Sequence, residues 1–163
     1  MNQIPSEMLS VLIESTQEVF EMMVFQSLGS QTPIEGEALR PRSNVVGTVA
    51  FAGERSGVVA FYSTTATAQA ITGAMLGIPA ADVNGEMPDA IGEITNMIAG
   101  TFRTKMAATG SRWAISVPTV TIGSDFYTKY VSDVRRVLCP FTMSEGNEIF
   151  VELILTRTDG NTR

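Results

Sequence analysis

Apolar residues recur at helical spacing near the start of the chain. Between residues 6 and 28 they fall on one side of a helical period, which is typical of an amphipathic helix. They are Met8, Leu9, Leu12, Val19, Phe20 and Met23. Ser6 stands where a side chain caps a first turn, and Gly29 stands where a helix ends. The pattern therefore predicts an opening helix over residues 6–28.

Two segments rich in β-branched and aromatic residues follow. Residues 31–43 contain two prolines and a glycine, which predict a loop. Residues 45–52 and 57–62 have the composition of strands, and the four residues between them are polar or glycine, as in a short hairpin connection. The sequence therefore predicts an antiparallel strand pair.

Two further helices are predicted in the middle of the chain. Residues 64–76 are mostly small and apolar and are entered from Ser63, and a break containing glycine and proline follows them. Residues 86–109 show helical patterning throughout. Pro88 lies in the first turn, where a missing N–H costs little, and Gly110 lies just past the end. We expect this long segment to be the central helix.

Four strands are predicted after the central helix, at residues 113–117, 118–123, 130–143 and 148–158. The last two are rich in Val, Ile, Leu and Phe and are separated by Ser-Glu-Gly-Asn. This arrangement predicts a long C-terminal hairpin. Residues 159–163 are expected to form a loose tail.

One domain is expected over residues 1–158. A chain of 163 residues, of which 44% are hydrophobic, can build a substantial core. The order of the predicted elements indicates an α/β fold with a mixed, largely antiparallel sheet and long helices packed against it. Only 17% of the residues are charged, below the usual quarter or so, which suggests that a partner subunit covers part of the surface.

The residue counts exclude much of the usual enzyme chemistry. The chain has no histidine, which excludes Ser-His-Asp triads, Cys-His nucleophile pairs and His-ligated metal sites. The single cysteine, Cys139, cannot form an internal disulfide or a CxxC pair, which indicates a reducing compartment and no thiol-based metal site. Its apolar neighbours predict a buried, unreactive thiol.

The chain is acidic, with a formal net charge of −6, which argues against nucleic acid or an anionic membrane as a partner. Its longest apolar stretches are far too short to span a bilayer. No Lys or Arg precedes Arg40, so the start lacks the charged region of a secretory signal. We therefore expect a soluble, cytoplasmic protein.

The central helix has one apolar face and one polar stripe. A rotation of about 100° per residue gathers five apolar side chains on one side and puts Glu93 and Asn96 together on the other, about 60° apart. The apolar residues are Ile91, Ile94, Ile98, Phe102 and Met106, and the stripe also contains Asp89, Gly100, Arg103 and Ala107. Small residues such as Gly100 are unusual on a solvated helix face, and they leave a flat strip on which another protein can lie close.

A Glu-x-x-Asn pair is a weak motif on spacing alone. It fits a solvated helix face, and the small residues around Glu93 and Asn96 make a contact surface an equal alternative. Chemistry is conceivable for such a pair, because an amide carbonyl can hold a water while a carboxylate one turn away pairs with a cation on a partner.

The segment around this pair resembles a known family. Residues 89–100 read Asp-Ala-Ile-Gly-Glu-Ile-Thr-Asn-Met-Ile-Ala-Gly, and residues 118–123 read Pro-Thr-Val-Thr-Ile-Gly. Together they resemble the signature of the CheX branch of the CheC/CheX/FliY chemotaxis phosphatases. The resemblance extends more loosely, through the order of the predicted elements, over nearly the whole chain.

The resemblance implies dephosphorylation of a phosphorylated CheY-type response regulator. The essential Glu and Asn of the family fall on Glu93 and Asn96, which implies that Glu93 pairs with a regulator lysine and that Asn96 orients the water attacking the aspartyl phosphate. The regulator supplies Mg²⁺, so no cofactor is expected on this chain. The resemblance also implies a homodimer joined through C-terminal strands, and the apolar hairpin over residues 131–155 is expected to offer an uncovered edge for it.

The alternative is a non-catalytic domain that binds a response regulator, or an interaction domain like the flagellar switch proteins. Retention of both Glu93 and Asn96 favours the enzyme. CheC-type members repeat the pair on the first helix, whereas here Glu14-Ser-Thr-Gln and Glu18-Val-Phe-Glu do not end in Asn, so a single site is expected. That helix carries Glu7, Glu14, Glu18 and Glu21 on the face opposite its apolar side, and they are interpreted as a solvated face, with docking to a basic regulator surface as the lesser alternative.

Overall fold

In the residues that the structure describes, the fold is an antiparallel sheet of eight strands with three α-helices packed against it. The computed structural model describes residues 3–36, 41–124, 126–130 and 133–157. The helices are α1 (Ser6–Met23), α2 (Thr65–Leu76) and α3 (Met87–Ala107). The strands are β1 (Gly29–Ser30), β2 (Ile34–Glu35), β3 (Val45–Gly53), β4 (Gly57–Ser63), β5 (Trp113–Ile115), β6 (Thr119–Ile122), β7 (Val134–Thr142) and β8 (Glu148–Thr156). The tail predicted for residues 159–163 lies outside the described residues.

The strands follow the order β1, β7, β8, β4, β3, β5, with β2 also pairing with β7 and β6 also pairing with β3. Every pairing among the described strands is antiparallel. Both predicted hairpins are present, as β3 with β4 and β7 with β8. The predicted α/β class, with long helices against a largely antiparallel sheet, is confirmed.

The opening helix is shorter than predicted. It ends at Met23 instead of residue 28, because Phe25 adopts a left-handed conformation with φ 60° and the Gln26 N–H turns back to the Phe20 carbonyl. Gly29, predicted to end the helix, lies in β1 opposite Thr142. The chain therefore leaves the helix early to pair with a strand that is distant in sequence. The predicted cap is also wrong, because the residue preceding the helix is Pro5 and no side chain caps the first turn.

The other two helices lie close to their predicted bounds. The side chain of Thr64, rather than that of Ser63, caps α2 by accepting a hydrogen bond of 3.2 Å from the Thr67 N–H. Gly77 ends that helix in the left-handed conformation, with φ 69°, which costs a glycine little. In α3, Pro88 lies in the first turn as predicted.

The outer edge of the C-terminal hairpin is partly covered, which corrects an expectation drawn from its apolar sequence. Two short strands lie beside β7, with Ser30 opposite Phe141 and Ile34 opposite Leu138. These strands fall partly in the segment predicted to be a loop. The expectation that an uncovered edge of the C-terminal hairpin drives dimer formation is therefore not supported, because β7 is partly paired within the chain.

The two faces of the sheet are packed differently. The main core lies between the sheet and the helices and includes Leu12 and Phe20 of α1. The opposite face carries a smaller cluster of buried residues, Val46, Ala60, Tyr62, Leu138 and Ile154. No described helix is long and apolar enough to cross a membrane.

Helix α3 packs tightly against the sheet at Gly47 of β3. A Cβ built on Gly47 would overlap the Thr95 hydroxyl oxygen and would lie 3.1 Å from Thr95 Cβ. Thr95 is fully buried, and its hydroxyl donates to the Ile91 carbonyl at 2.7 Å. The Thr95 side chain of the helix therefore rests directly on the backbone of β3, and only glycine fits at position 47.

Gly47→Ala should destabilise the fold by about 1 to 3 kcal/mol or more, because the added methyl group forces α3 away from β3. Gly100→Ala is the matched control: nothing lies within 4 Å of a Cβ at this helical position. That change should stabilise the fold by up to about 1 kcal/mol. Urea unfolding of both variants measures the difference. Equal stabilities would contradict the close approach of helix and strand.

Cys139 should be unreactive in the folded protein. Its side chain is buried, as predicted, and burial, followed by the charge of Glu152, raises the pKa of its thiol to about 12. The thiolate is therefore scarce at pH 8, and we expect Ellman's reagent to label the native chain only over hours and the urea-unfolded chain within minutes. Rapid labelling of one thiol per native chain would show that this part of the core is open.

Candidate functional site

Helix α3 buries its predicted apolar face and leaves the opposite side accessible. Ile91, Ile94 and Ile98 are fully buried, and Phe102 and Met106 are nearly so. Since this face is fixed against the sheet, the rotation of the helix is fixed as well. The residues of the polar stripe, from Asp89 to Ala107, are all exposed or half-buried.

Glu93 and Asn96 lie one turn apart on this accessible side. Glu93 is exposed and Asn96 is half-buried. Neither side chain forms a hydrogen bond or ion pair with any residue in the described ranges. Gly100, one turn further on, has open space where a Cβ would stand. The carboxylate and the amide are therefore available to a partner, and no neighbouring side chain of the stripe obstructs them from the Gly100 side.

Strand β6 and the turn before it border the same side of α3. A Cβ built on Gly92 would lie 3.5 Å from Val120 Cγ2 and 3.9 Å from Pro118 Cγ, so this wall is in contact with the helix. Val117, which directly precedes Pro118, is 81% exposed. We call Glu93, Asn96, Gly100, Val117 and Pro118 the α3 surface. It combines two polar groups with a flat floor and one projecting apolar side chain.

The acidic residues of α1 form a separate exposed face. Glu7, Glu14, Glu18 and Glu21 are all exposed, as the pattern predicted. One of them is engaged within the protein, because Lys105 of α3 lies 3.1 Å from Glu18. An exposed pair of this kind contributes little to stability. The structure brings none of these carboxylates into the α3 surface as we define it.

The α3 surface offers an amide and a carboxylate that can recognise and position a ligand. An amide can accept from and donate to a water or a phosphoryl oxygen, and a carboxylate can pair with a cation. No group of three or more His, Cys, Asp or Glu side chains arranged to hold a metal ion occurs in the part of the chain that the structure describes.

Sequence reasoning missed a buried ionic cluster on the face of the sheet opposite the helices. Glu152 is only 3% exposed, and it accepts hydrogen bonds from the Tyr62 hydroxyl at 2.6 Å and from Nε and Nη2 of Arg136. Burial, together with the charge of Glu152, raises the pKa of the Tyr62 phenol, and the hydrogen bonds to Glu152 raise the pKa of Arg136. The available signal was Glu152, a glutamate flanked on both sides by apolar residues in the middle of the strand Glu-Ile-Phe-Val-Glu-Leu-Ile-Leu-Thr.

Known structures that share this fold over nearly their full length include the following three. CheX from Desulfovibrio desulfuricans is 26% identical, with a TM-score of 0.82, and the match covers 91% of this chain and 99% of that chain. A CheC-like superfamily protein from Shewanella sp. PV-4 is 20% identical, with a TM-score of 0.85 and coverage of 94% and 100%. A chain of the CheX-CheY-BeF₃-Mg²⁺ complex from Borrelia burgdorferi is 19% identical, with a TM-score of 0.71 and coverage of 91% and 97%.

The family relationship follows from sequence as well as from fold. None of the curated proteins compared with this chain matches it. The family model described as chemotaxis phosphatase CheX, however, matches residues 45–142, which is more than half of the chain and includes all of α3 and β6. The chain belongs to the CheX family of chemotaxis phosphatases.

Proposed function

We propose that this protein hydrolyses the aspartyl phosphate of a phosphorylated CheY-type response regulator, with the α3 surface docked across the regulator's active site. The observation that carries the proposal is the pair formed by Glu93 and Asn96, which lie one turn apart, accessible and unpaired within the described residues, on a flat strip of α3. Family membership supports the phosphatase activity, and the CheX-CheY complex from Borrelia burgdorferi supports the kind of partner.

In the proposed reaction Asn96 positions the attacking water. Its amide accepts a hydrogen bond from the water and holds it in line with the bond between phosphorus and the aspartyl oxygen. The water attacks phosphorus, the aspartyl carboxylate leaves, and inorganic phosphate is released. Phosphoryl transfer is catalysed mostly by positioning and by charge complementarity, so a neutral amide suffices where the partner supplies the charges.

Glu93 is proposed to fix the register of the complex. An exposed carboxylate one turn from Asn96 can pair with a lysine at the regulator's active site, and this pair orients the helix over the phosphoryl group. Mg²⁺ is proposed to be held by the regulator, which leaves this chain to bind no cofactor of its own.

The shape of the α3 surface suits a large partner. Gly100 leaves the strip beyond Asn96 flat, and the exposed side chain of Val117 directly precedes Pro118, which lies against α3 at Gly92, so a protein surface can reach the helix backbone and bury an apolar side chain at the rim. A non-catalytic regulator-binding domain would use the same surface. The two alternatives differ only in whether the regulator loses its phosphate.

Asn96→Ala should abolish most of the turnover and leave docking nearly intact. Loss of one preorganised polar group at a reacting centre is expected to slow single-turnover dephosphorylation about 10²- to 10³-fold. The matched control is Asn84→Ala, an exposed asparagine before α3, which should react at the wild-type rate. If Asn96→Ala also reacts at the wild-type rate, the pair belongs to an ordinary solvated helix face and the proposed function is wrong.

Glu93→Ala should weaken binding as well as turnover. The change leaves the regulator's lysine without its partner, which costs about 2 to 5 kcal/mol where such a pair is buried in the interface. Titration with a stable beryllofluoride complex of the regulator measures the affinity. Glu14→Ala removes the same charge from the exposed face of α1 and serves as the control. Equal losses in both variants would assign the effect to general electrostatic attraction instead of a specific pair.

We also propose that the protein is a cytoplasmic homodimer joined through its C-terminal strands. The family resemblance, the low charged fraction of 17% and exposed apolar side chains such as Phe25 and Met22 support an assembled state. Light scattering at micromolar concentration should give twice the chain mass of 17.5 kDa. A monomer mass at that concentration would overturn this proposal without affecting the chemistry of α3.

A further inference from the structure

A cavity of about 330 Å³ lies on the opposite face of the sheet from α3. The connection from β6 to β7 crosses this face, since β6 pairs with β3 whereas β7 lies two strands beyond β4. Residues 126–130 of the connection form one wall, and Tyr62 of β4 and Arg136 of β7 lie at the sheet side. The cavity is within the size range of small-molecule sites, which begins at about 300 Å³.

Aromatic rings make up much of the lining. Tyr62, Phe126, Tyr127 and Tyr130 all contribute to it. Rings of this kind offer flat apolar surfaces, and phenol hydroxyls add hydrogen-bonding groups at their edges. The lining therefore suits a ligand with a flat or apolar body.

Arg136 is held in place at the cavity by two contacts. Its Nε and Nη2 donate to the buried carboxylate of Glu152, and its guanidinium carbon lies 5.4 Å from the centre of the Tyr130 ring. A guanidinium has five N–H donors, and two of them are used by Glu152. The remaining donors have no partner among the described residues, on a group whose position is already fixed.

The lining carries more positive than negative charge. Lys129 also lines the cavity and forms no ion pair within the described part of the chain, and none of the described lining residues is acidic. Because the negative charge of Glu152 neutralises the positive charge of Arg136, the positive charge of Lys129 has no counter-charge among the described lining residues. The positive charge at the cavity contrasts with the net charge of −6 on the whole chain, which by itself would repel an anion.

We propose that this cavity binds a small organic anion, with a carboxylate or phosphate group held by Arg136 and Lys129 and a flat ring packed among the tyrosine and phenylalanine side chains. The anion supplies the acceptors that the unused guanidinium donors and the ammonium group require. The cavity shares no residue with the α3 surface, so the proposal does not depend on the phosphatase activity.

Four probes separate the parts of this proposal. Benzoate and phenyl phosphate carry a ring with a carboxylate or a phosphate, benzyl alcohol carries the ring without charge, and inorganic phosphate carries the charge without the ring. Each is titrated into the ¹⁵N-labelled full chain, and amide shifts are followed at Tyr62, Lys129, Tyr130 and Val134. We expect saturable shifts with benzoate or phenyl phosphate, and at least tenfold weaker binding of benzyl alcohol and of inorganic phosphate. Which of the two aromatic anions binds more tightly identifies the anionic group.

Lys129→Glu is the decisive variant, since Lys129 is exposed and the buried Arg136–Glu152 pair stays intact. It should weaken binding of the preferred aromatic anion by tenfold or more with an unchanged urea midpoint. Arg55→Glu makes the same change in net charge on the exposed β3–β4 turn, outside the cavity, and should bind like the wild type.

Three results would overturn the proposal. The first is the absence of saturable shifts at these amides with either aromatic anion. The second is equal binding by the wild type and Lys129→Glu, or equal losses in Lys129→Glu and Arg55→Glu. The third is a dependence of the same amide shifts on protein concentration without any ligand, which would mark this face as a contact between two copies of the chain.

Discussion

The close approach of α3 to β3 at Gly47 and Thr95 is the constraint on which the rest of the structure depends. Because the small Thr95 side chain rests directly on the backbone of Gly47, the apolar face of α3 is packed against the sheet and its rotation is fixed. The same contact determines which residues of α3 reach the surface. Glu93 and Asn96 owe their accessibility to a glycine that takes no part in their chemistry.

The part of the fold that could be predicted from the sequence is the part with strong local patterning. The apolar period of α3 predicted its bounds to within two residues and also predicted its buried face. The strand composition and the turn residues predicted both hairpins correctly, β3 with β4 and β7 with β8. The exposure of Glu93 followed from the same period. The proposed role of Glu93 could not be predicted from this period, because spacing alone cannot distinguish a contact surface from a solvated one.

Features set by distant contacts could not be predicted. The early end of α1 depends on the pairing of Gly29 with Thr142, and two-residue strands such as β1 leave no pattern of their own in the sequence. The hydrogen bonds between Arg136 and Glu152 join two strands whose register becomes known only once the sheet is built. A glutamate in an otherwise apolar strand signals that a buried partner exists, but it does not say which residue that partner is.

Strand β6 lies between the two surfaces described above. Val120 lies against α3 beside Gly92, and residues 126–130, only a few positions later in the chain, form a wall of the cavity on the other face. One short stretch of chain thus connects two proposed binding surfaces on opposite sides of the sheet. If an occupant of either surface shifts β6, thermodynamic linkage requires reciprocity: the factor by which a small anion changes the affinity for a protein partner equals the factor by which that partner changes the affinity for the anion.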